Sequence, residues 1–300
     1  MTSGSNRQRF LELTICLCSF AMTAHSADSR SSRRAHAHPR VQQLKADPAQ
    51  VVTQAMHNEL NADLHDHSLW MYVCHKVDHN KEVTKKVVET PKGDLTLTTA
   101  QAGHPLSPEE LKKQDRQLEE LMRDPGALAK QQQAQHDDDQ RARELMKMLP
   151  TAFIYKYEAE QKEIIQLSFH PNPKFDPPTR EAKVFHSMSG IMWVQARELR
   201  LVKLAGHLIE DVDFGFGILG KLHKGGTFEL DRVEPAPGHW KTSLIDVHLS
   251  GKALFFKSIS EDQHEVDRDY HRVPVLNAVQ AAKLLEGQTD LAQMSHAAHK

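Results

Sequence analysis

Side chains of the kind that ligate metals crowd one part of the chain. His65, His67, Cys74, His75 and His79, with Asp66 and Asp78 beside them, are all able to bind zinc or copper. Their spacing matches no recognised ligand pattern. His65 and His67 sit two apart at the end of an expected helix, where their side chains diverge, and no second cysteine follows Cys74. A surface histidine cluster is the expectation, and no metal or other cofactor is implied. Gly215-Phe216-Gly217-Ile218-Leu219-Gly220 has the spacing of a dinucleotide fingerprint after an expected strand, but Gly225-Gly226 interrupts any following helix and a strand is expected from Thr227. Ser187-Met188-Ser189-Gly190 lacks the leading glycine and the strand-to-helix elbow of an esterase nucleophile. Acid pairs such as Glu210-Asp211 alternate faces in a strand. The chain reads as non-catalytic.

A binding surface is better supported. Large apolar side chains recur on consecutive expected strands: Phe153, Phe169, Trp193, Leu201, Phe228, Trp240 and Phe255. Gathered on one face they need a cover, because apolar surface left in water costs about 25 cal/mol per Å². The cover is either a ligand or the helices beginning at Pro48 and Ser107. The glycine-rich segment suggests a mobile flap that folds Phe214, Phe216, Ile218, Leu219 and Leu222 over the sheet edge, or an ordinary buried crossover.

The elements that position these residues follow from periodicity. Asp47-Pro48 caps a helix reaching about His67, with Val52, Met56, Leu60 and Leu64 recurring every fourth residue. Strands over Leu69–Val77, Val83–Val88 and Leu95–Thr99 form a small meander, turned at Thr90-Pro91-Lys92-Gly93. Ser107, Pro108 and Glu110 spell a capping box, with a staple from Leu106 to Leu111. That helix ends near Pro125-Gly126, and a polar, mainly solvated one runs from Ala127 to Leu149, stopped by Pro150. Alternating runs then predict strands at Ala152–Ala159, Lys162–His170, Ala182–Met188, Gly190–Gln195, Leu199–Asp213, Thr227–Glu234, His239–Leu249, Ala253–Ser260 and Glu265–Val273. Strands joined without helices pair as antiparallel neighbours, giving an α+β chain with one large twisted sheet. The expected organisation is a signal peptide over 1–26, a flexible basic leader over 27–46, one domain over 47–274 with a helical insertion at 107–150, and a terminal helix over Val275–Leu285 in a frayed 275–300 tail.

The chain has 300 residues, 26% of them charged, and a formal charge of −2 that disfavours nucleic acid as a partner. Arg7 and Arg9, an apolar Phe10–Met22 and Ala24-His25-Ser26 before Ala27 fit an export signal, flawed by Glu12. Cleavage there leaves Cys74 as the sole cysteine. Neither Cys16 nor Cys18 follows the small residue that a lipid-anchor signal needs. In the leader, Arg30, Arg33, Arg34 and Arg40 could touch an anionic membrane surface, though a solvated tail suffices.

The order of helix, meander, inserted helices and long meander resembles the periplasmic lipoprotein carrier and outer-membrane lipoprotein-sorting superfamily. Gly190-Ile191-Met192-Trp193-Val194-Gln195 and Leu199-Arg200-Leu201-Val202-Lys203-Leu204 are similar to that superfamily's sheet hairpin. Pro171-Asn172-Pro173, Pro177-Pro178 and the glycines from Gly215 to Gly226 resemble uncharacterised bacterial exported proteins related to it. The resemblance implies a half-barrel lidded by helices, enclosing an apolar cavity for acyl chains of a lipid or lipoprotein. The polar insertion over 107–150 departs from the pattern. An envelope scaffold or sensor that contacts other proteins and keeps a filled core is the competing expectation. Export predicts a mature chain that begins at Ala27, read from the intact mass of protein recovered from the cell envelope; a retained Met1 rules it out.

Overall fold

The computed structural model describes residues 46–161, 163–214, 220–253 and 257–287, without the side chains of 159–161, 253 and 257–259. Helix α1 spans Pro48–His65, and the Asp47 carboxylate accepts from Ala49 N at 3.1 Å to cap it. Strands β1 (Leu69–Asp78), β2 (Lys81–Val88) and β3 (Leu95–Gln101) form the expected meander, extended by a short β4 (His104–Pro105). Helix α2 (Pro108–Arg123) starts on the capping box, Ser107 receiving Glu110 N and Glu110 receiving Ser107 N at 2.8 Å. Asp124 then caps α3 (Pro125–Ala152) through Gly126 N and Ala127 N. Pro150 lies inside α3 instead of stopping it, because the helix ends two residues later and only one backbone bond of its last turn is lost.

The rest of the chain is mostly sheet: β5 (Phe153–Gln161), β6 (Ile164–Pro171), β7 (Met188–Gln195), β8 (Arg200–Leu208), β9 (Val212–Phe214), β10 (Gly220–Leu222), β11 (Thr227–Ala236), β12 (His239–Ala253) and β13 (Lys257–Val273). Helix α4 (Arg180–His186) and helix α5 (Ala278–Leu285) complete the described elements. Three expectations change. Ala182–Met188 is not a strand, because Thr179 caps a helix by accepting from Ala182 N at 3.1 Å. Leu199–Asp213 divides into β8 and β9. The two strands expected over Ala253–Ser260 and Glu265–Val273 are one, since β13 is held by β12 along its first part and by β1 along its last.

The main path runs β4-β3-β2-β1-β13-β12-β11-β8-β7-β6-β5, every pair antiparallel, with the β9–β10 hairpin joined to β12 through β10. The sheet is curved and does not close into a barrel, so the fold is α+β with a large curved antiparallel sheet. Pairing of β1 with β13 brings the first meander beside the last strand, a contact far apart in sequence. Among the described residues no helix is long and apolar enough to cross a membrane.

Two apolar clusters lie on opposite faces. On the first, α1 and α3 place Val52, Ala55, Met56, Leu145 and Leu149 against Phe153, Leu167, Phe169, Met192, Phe228 and Ile245 of the β5–β12 half. On the second, α2 and α5 cover Leu69, Val88, Leu95 and Leu97 at the β1–β3 end. Strand alternation explains the split: Met71 pairs with Val88 on the α5 side, and Tyr72 with Val87 on the α1 side. Phe153 meets Phe169 and Phe185 edge to face, with centroids 4.9 and 5.2 Å apart.

The cross-strand pair Gly190 and Gly206 lets these rings lie close to the sheet. A Cβ on Gly206 would stand 2.8 Å from the Phe228 ring and 2.7 Å from Ser189 O; one on Gly190 would stand 2.0 Å from Ala205 O. Backbone cannot yield cheaply there, so Gly190→Ala is expected to cost about 1–3 kcal/mol of stability in urea denaturation, and a neutral result would mean that β7 and β8 are not paired in this register.

Candidate functional site

The buried face of α1 changes character along its length. Val52, Ala55 and Met56 are apolar, and the same face continues through Glu59 and Asp63, both buried. The four-residue spacing of Val52, Met56, Leu60 and Leu64 drifts off a 3.6-residue helix, and Leu64 is 63% exposed. The carboxylates take the places that the apolar reading assigned to Leu60 and Leu64.

Two irregularities in the sheet receive them. The pairing steps from Trp193↔Lys203 to Val194↔Leu201, leaving one extra residue on β8, and from Asp231↔Leu244 to Arg232↔Thr242, leaving one on β12. Arg200 reaches Glu59 through Nε and Nη2, at 2.9 and 3.0 Å, and Leu201 N donates to the same carboxylate at 2.8 Å. Arg232 also donates to Glu59, and its other nitrogen reaches Trp240 O at 2.9 Å. Burial pushes the Glu59 carboxyl upward, but Arg232 and Arg200 outweigh it and the net shift is downward from 4.5.

The network extends along the helix. Arg143 of α3 bonds Asp63, where burial wins over the guanidinium and holds the carboxyl above its usual range. Asp66 receives His239 at 2.8 Å; burial raises its pKa, but the hydrogen bonds from Ser68 and His239 win and the net shift is downward. Lys241 donates to both oxygens of Glu89 at 2.8 and 3.0 Å, yet burial keeps that carboxyl raised. Trp70 N reaches Glu89 at 3.0 Å, and its indole N–H reaches Ser68 at 2.8 Å.

A pocket of about 50 Å³ opens beside these charges, lined by Glu59, Asp63, Arg200, Arg232, Trp240 and Lys241 among others. Trp240 Nε1 and Asp63 Oδ1 are buried there without a hydrogen-bond partner among the described residues. One donor and one acceptor in so small a space suit one or two waters, and an acyl chain does not fit.

The residues expected to line a cavity have several fates. Phe153, Phe169, Leu201, Phe214 and Phe228 are buried in the cluster under α1 and α3, where side chains of the helices fill the space between them. Trp193 points to the opposite face, because Met192 and Val194 take the buried positions, and Lys203 Nζ lies 5.6 Å from its ring centre. Trp240 borders the charged pocket instead of an apolar wall. Phe216, Leu219 and Phe255, with most of the proposed flap, lie outside the described residues. Gly220 opens strand β10 opposite Phe214, so the nucleotide motif has no helix after it.

The metal-ligand types around Cys74 do not converge as a set. Cys74 faces the α1 side while His75 faces away, bonding Thr84 at 3.1 Å. His79 is paired with Asp78 at 2.5 Å and His65 with Asn61 O at 2.7 Å. Ser187 caps α4 and donates to Lys183 O at 3.0 Å. Sequence reasoning missed Glu59, Asp63, Arg200, Arg232 and Lys241; the available signal was the acidic i, i+4 pair on an otherwise apolar helix face. No family model, curated protein or solved structure matches this chain.

Replacing Glu59 removes the carboxylate that two largely buried guanidiniums share. Glu59→Gln is expected to destabilise by about 3–5 kcal/mol at pH 7. The wild-type advantage is full above the ordinary value of 4.5 and disappears as pH falls through the lower folded value. Chemical denaturation at several pH values measures it, and a deficit that stays constant down to pH 3 contradicts the assignment.

Proposed function

We propose that the protein is a non-catalytic envelope binding protein that takes an acyl chain, or another apolar molecule, against the α1 face of its sheet, with α1 and α3 acting as a lid. The observation that carries this reading is the composition of the lid contact. One half of the buried face of α1 is apolar and rests on an aromatic floor; the other half is a set of carboxylates held by Arg200, Arg232 and Arg143. When such a lid lifts, an acyl chain can replace the apolar contacts of Val52, Ala55 and Met56, and water can resolvate the separated charges. Desolvation and attraction nearly cancel in a buried ion pair, so its opening costs less than the buried area suggests. The closed pocket is too small for a chain, and entry therefore requires that movement.

The resemblance to periplasmic lipoprotein carriers supplies the cargo class, and the export expectation supplies the compartment. A second reading has its own support. The filled cluster under the helices is what an envelope scaffold or sensor would show, its core serving only stability.

Titration of the purified protein with a fluorescent long-chain fatty acid, together with lipid extraction and mass spectrometry, separates the two. The carrier reading expects saturable micromolar binding, and association about tenfold faster in Arg232→Gln, which removes one of the two guanidiniums that tie α1 to the sheet at Glu59. No uptake by either protein, with a stoichiometric protein partner retained after delipidation, establishes the scaffold instead.

A further inference from the structure

The α1 face does not stay apolar across the whole sheet. On β13, Glu261, Gln263, Glu265 and Asp267 follow one another at every second position and share the face of Leu249, Val247 and Ile245 on β12. Glu261, Gln263 and Asp267 are buried, Gln263 almost completely. Across from them on β1, Cys74 pairs with Asp267 and Lys76 with Glu265. Cys74 and Asp267 are each only 8% exposed.

The Cys74 Sγ and one carboxylate oxygen each from Glu265 and Asp267 lie within 4.8 Å of one another. Asp267 Oδ1 is buried with no hydrogen-bond partner among the described residues. Both described contacts of Glu265, Lys76 at 3.5 Å and Gln263 at 3.3 Å, fall on Oε2. Asp94, another carboxylate with an unpartnered buried oxygen, acts on Asp267 through space, as does Glu89. Lys76 and Lys85 act on the cluster itself, and Lys241 acts on Glu89 and Asp94 beside it. The Cys74 thiol hydrogen-bonds the Asp267 carboxylate, which leaves Asp267 Oδ1 as the buried oxygen that a cation beside the thiol and the second carboxylate would satisfy.

We propose that Cys74, Glu265 and Asp267 form a binding site for a divalent cation of the zinc class. One sulfur and two oxygens suit a borderline ion; calcium and magnesium prefer oxygen alone, and copper(I) prefers sulfur. A tetrahedral zinc, with Zn–S near 2.3 Å and Zn–O near 2.0–2.2 Å, sets its ligand atoms roughly 3.5 Å apart. Small side-chain rotations close that gap. The fourth position belongs to water, and binding releases the Cys74 thiol proton to solvent. The site differs from the histidine cluster around it in sequence, since His75 faces the other side of the sheet. It is independent of whether the lid over the apolar half opens.

Titration of the purified protein with cobalt(II) and zinc(II) tests the site. The expected result is one equivalent bound, a thiolate-to-cobalt charge-transfer band that zinc abolishes, and affinity lower by on the order of 100-fold in Cys74→Ser. Asp267→Asn and Glu265→Gln, checked for folding by circular dichroism, each weaken binding at least tenfold and serve if the serine variant does not fold. Binding without a thiolate band, or binding that is equal in the wild type and in every folded variant, assigns the metal to surface histidines and overturns the site. So does the absence of binding, which leaves Cys74 and Asp267 as a thiol–carboxyl pair.

Discussion

A helix that carries a carboxylate into the interior of a sheet has to be met there by donors in fixed places, and the arrangement around Glu59 imposes that demand on much of this molecule. Its two oxygens take Arg200, Arg232 and the backbone of Leu201. Those donors come from strands that are neighbours only because β8 pairs with β11 across a break in the sequence order. The extra residue on β8 puts Leu201 on the α1 face, the one on β12 does the same for Trp240, and Arg232 follows Phe228 and Leu230 there by plain alternation on β11. Rotation of α1, register of two strand pairs and the position of Met56 over the aromatic floor are therefore tied to one charged contact. A slip by one residue would leave a charge in the interior without a partner, at a cost of several kcal/mol.

The same contact marks a boundary. On one side of it the α1 face is aromatic and aliphatic; on the other it is a band of carboxylates, amides and a thiol that reaches from Glu89 and Asp94 to Asp267 and Glu261. The sheet keeps apolar packing at that end by turning it over, so that α2 and α5 cover Leu69, Val88 and Leu95 on the far side. A large open sheet can thus hold two cores and still leave a polar strip on the face that it shares with the lid. The apolar cluster and the buried polar strip are separated by strand position and need no second domain.

Much of the scaffold was legible in the residues. Asp47-Pro48 and Ser107-Pro108-Glu110 place helix starts, because capping is satisfied within a few residues of chain. Alternation around Phe153, Leu167 and Met192 gives the strands and most of the buried positions. The site was not legible. Arg200 and Arg232 look like ordinary solvated residues in the sequence, and only contacts 141 and 173 residues away make them partners of Glu59. Trp193 faces away from the buried cluster for a related reason: its neighbours Met192 and Val194 are also apolar, and alternation alone does not say which set is buried.

The amino-acid order by itself determined the antiparallel α+β class, the capped helices and the absence of a strand-to-helix frame around Gly215–Gly220, all of which rest on local hydrogen bonding and side-chain period. The tertiary structure alone decided that β13 is one strand joining two meanders, that arginines of β8 and β11 meet the same carboxylate of a helix, and that Cys74 lies against Asp267 instead of the histidines beside it in the chain. Those outcomes depend on which face of a strand is covered and which distant strand lies next to it. Burial energy settles both across the whole sheet, and no short stretch of residues carries that information.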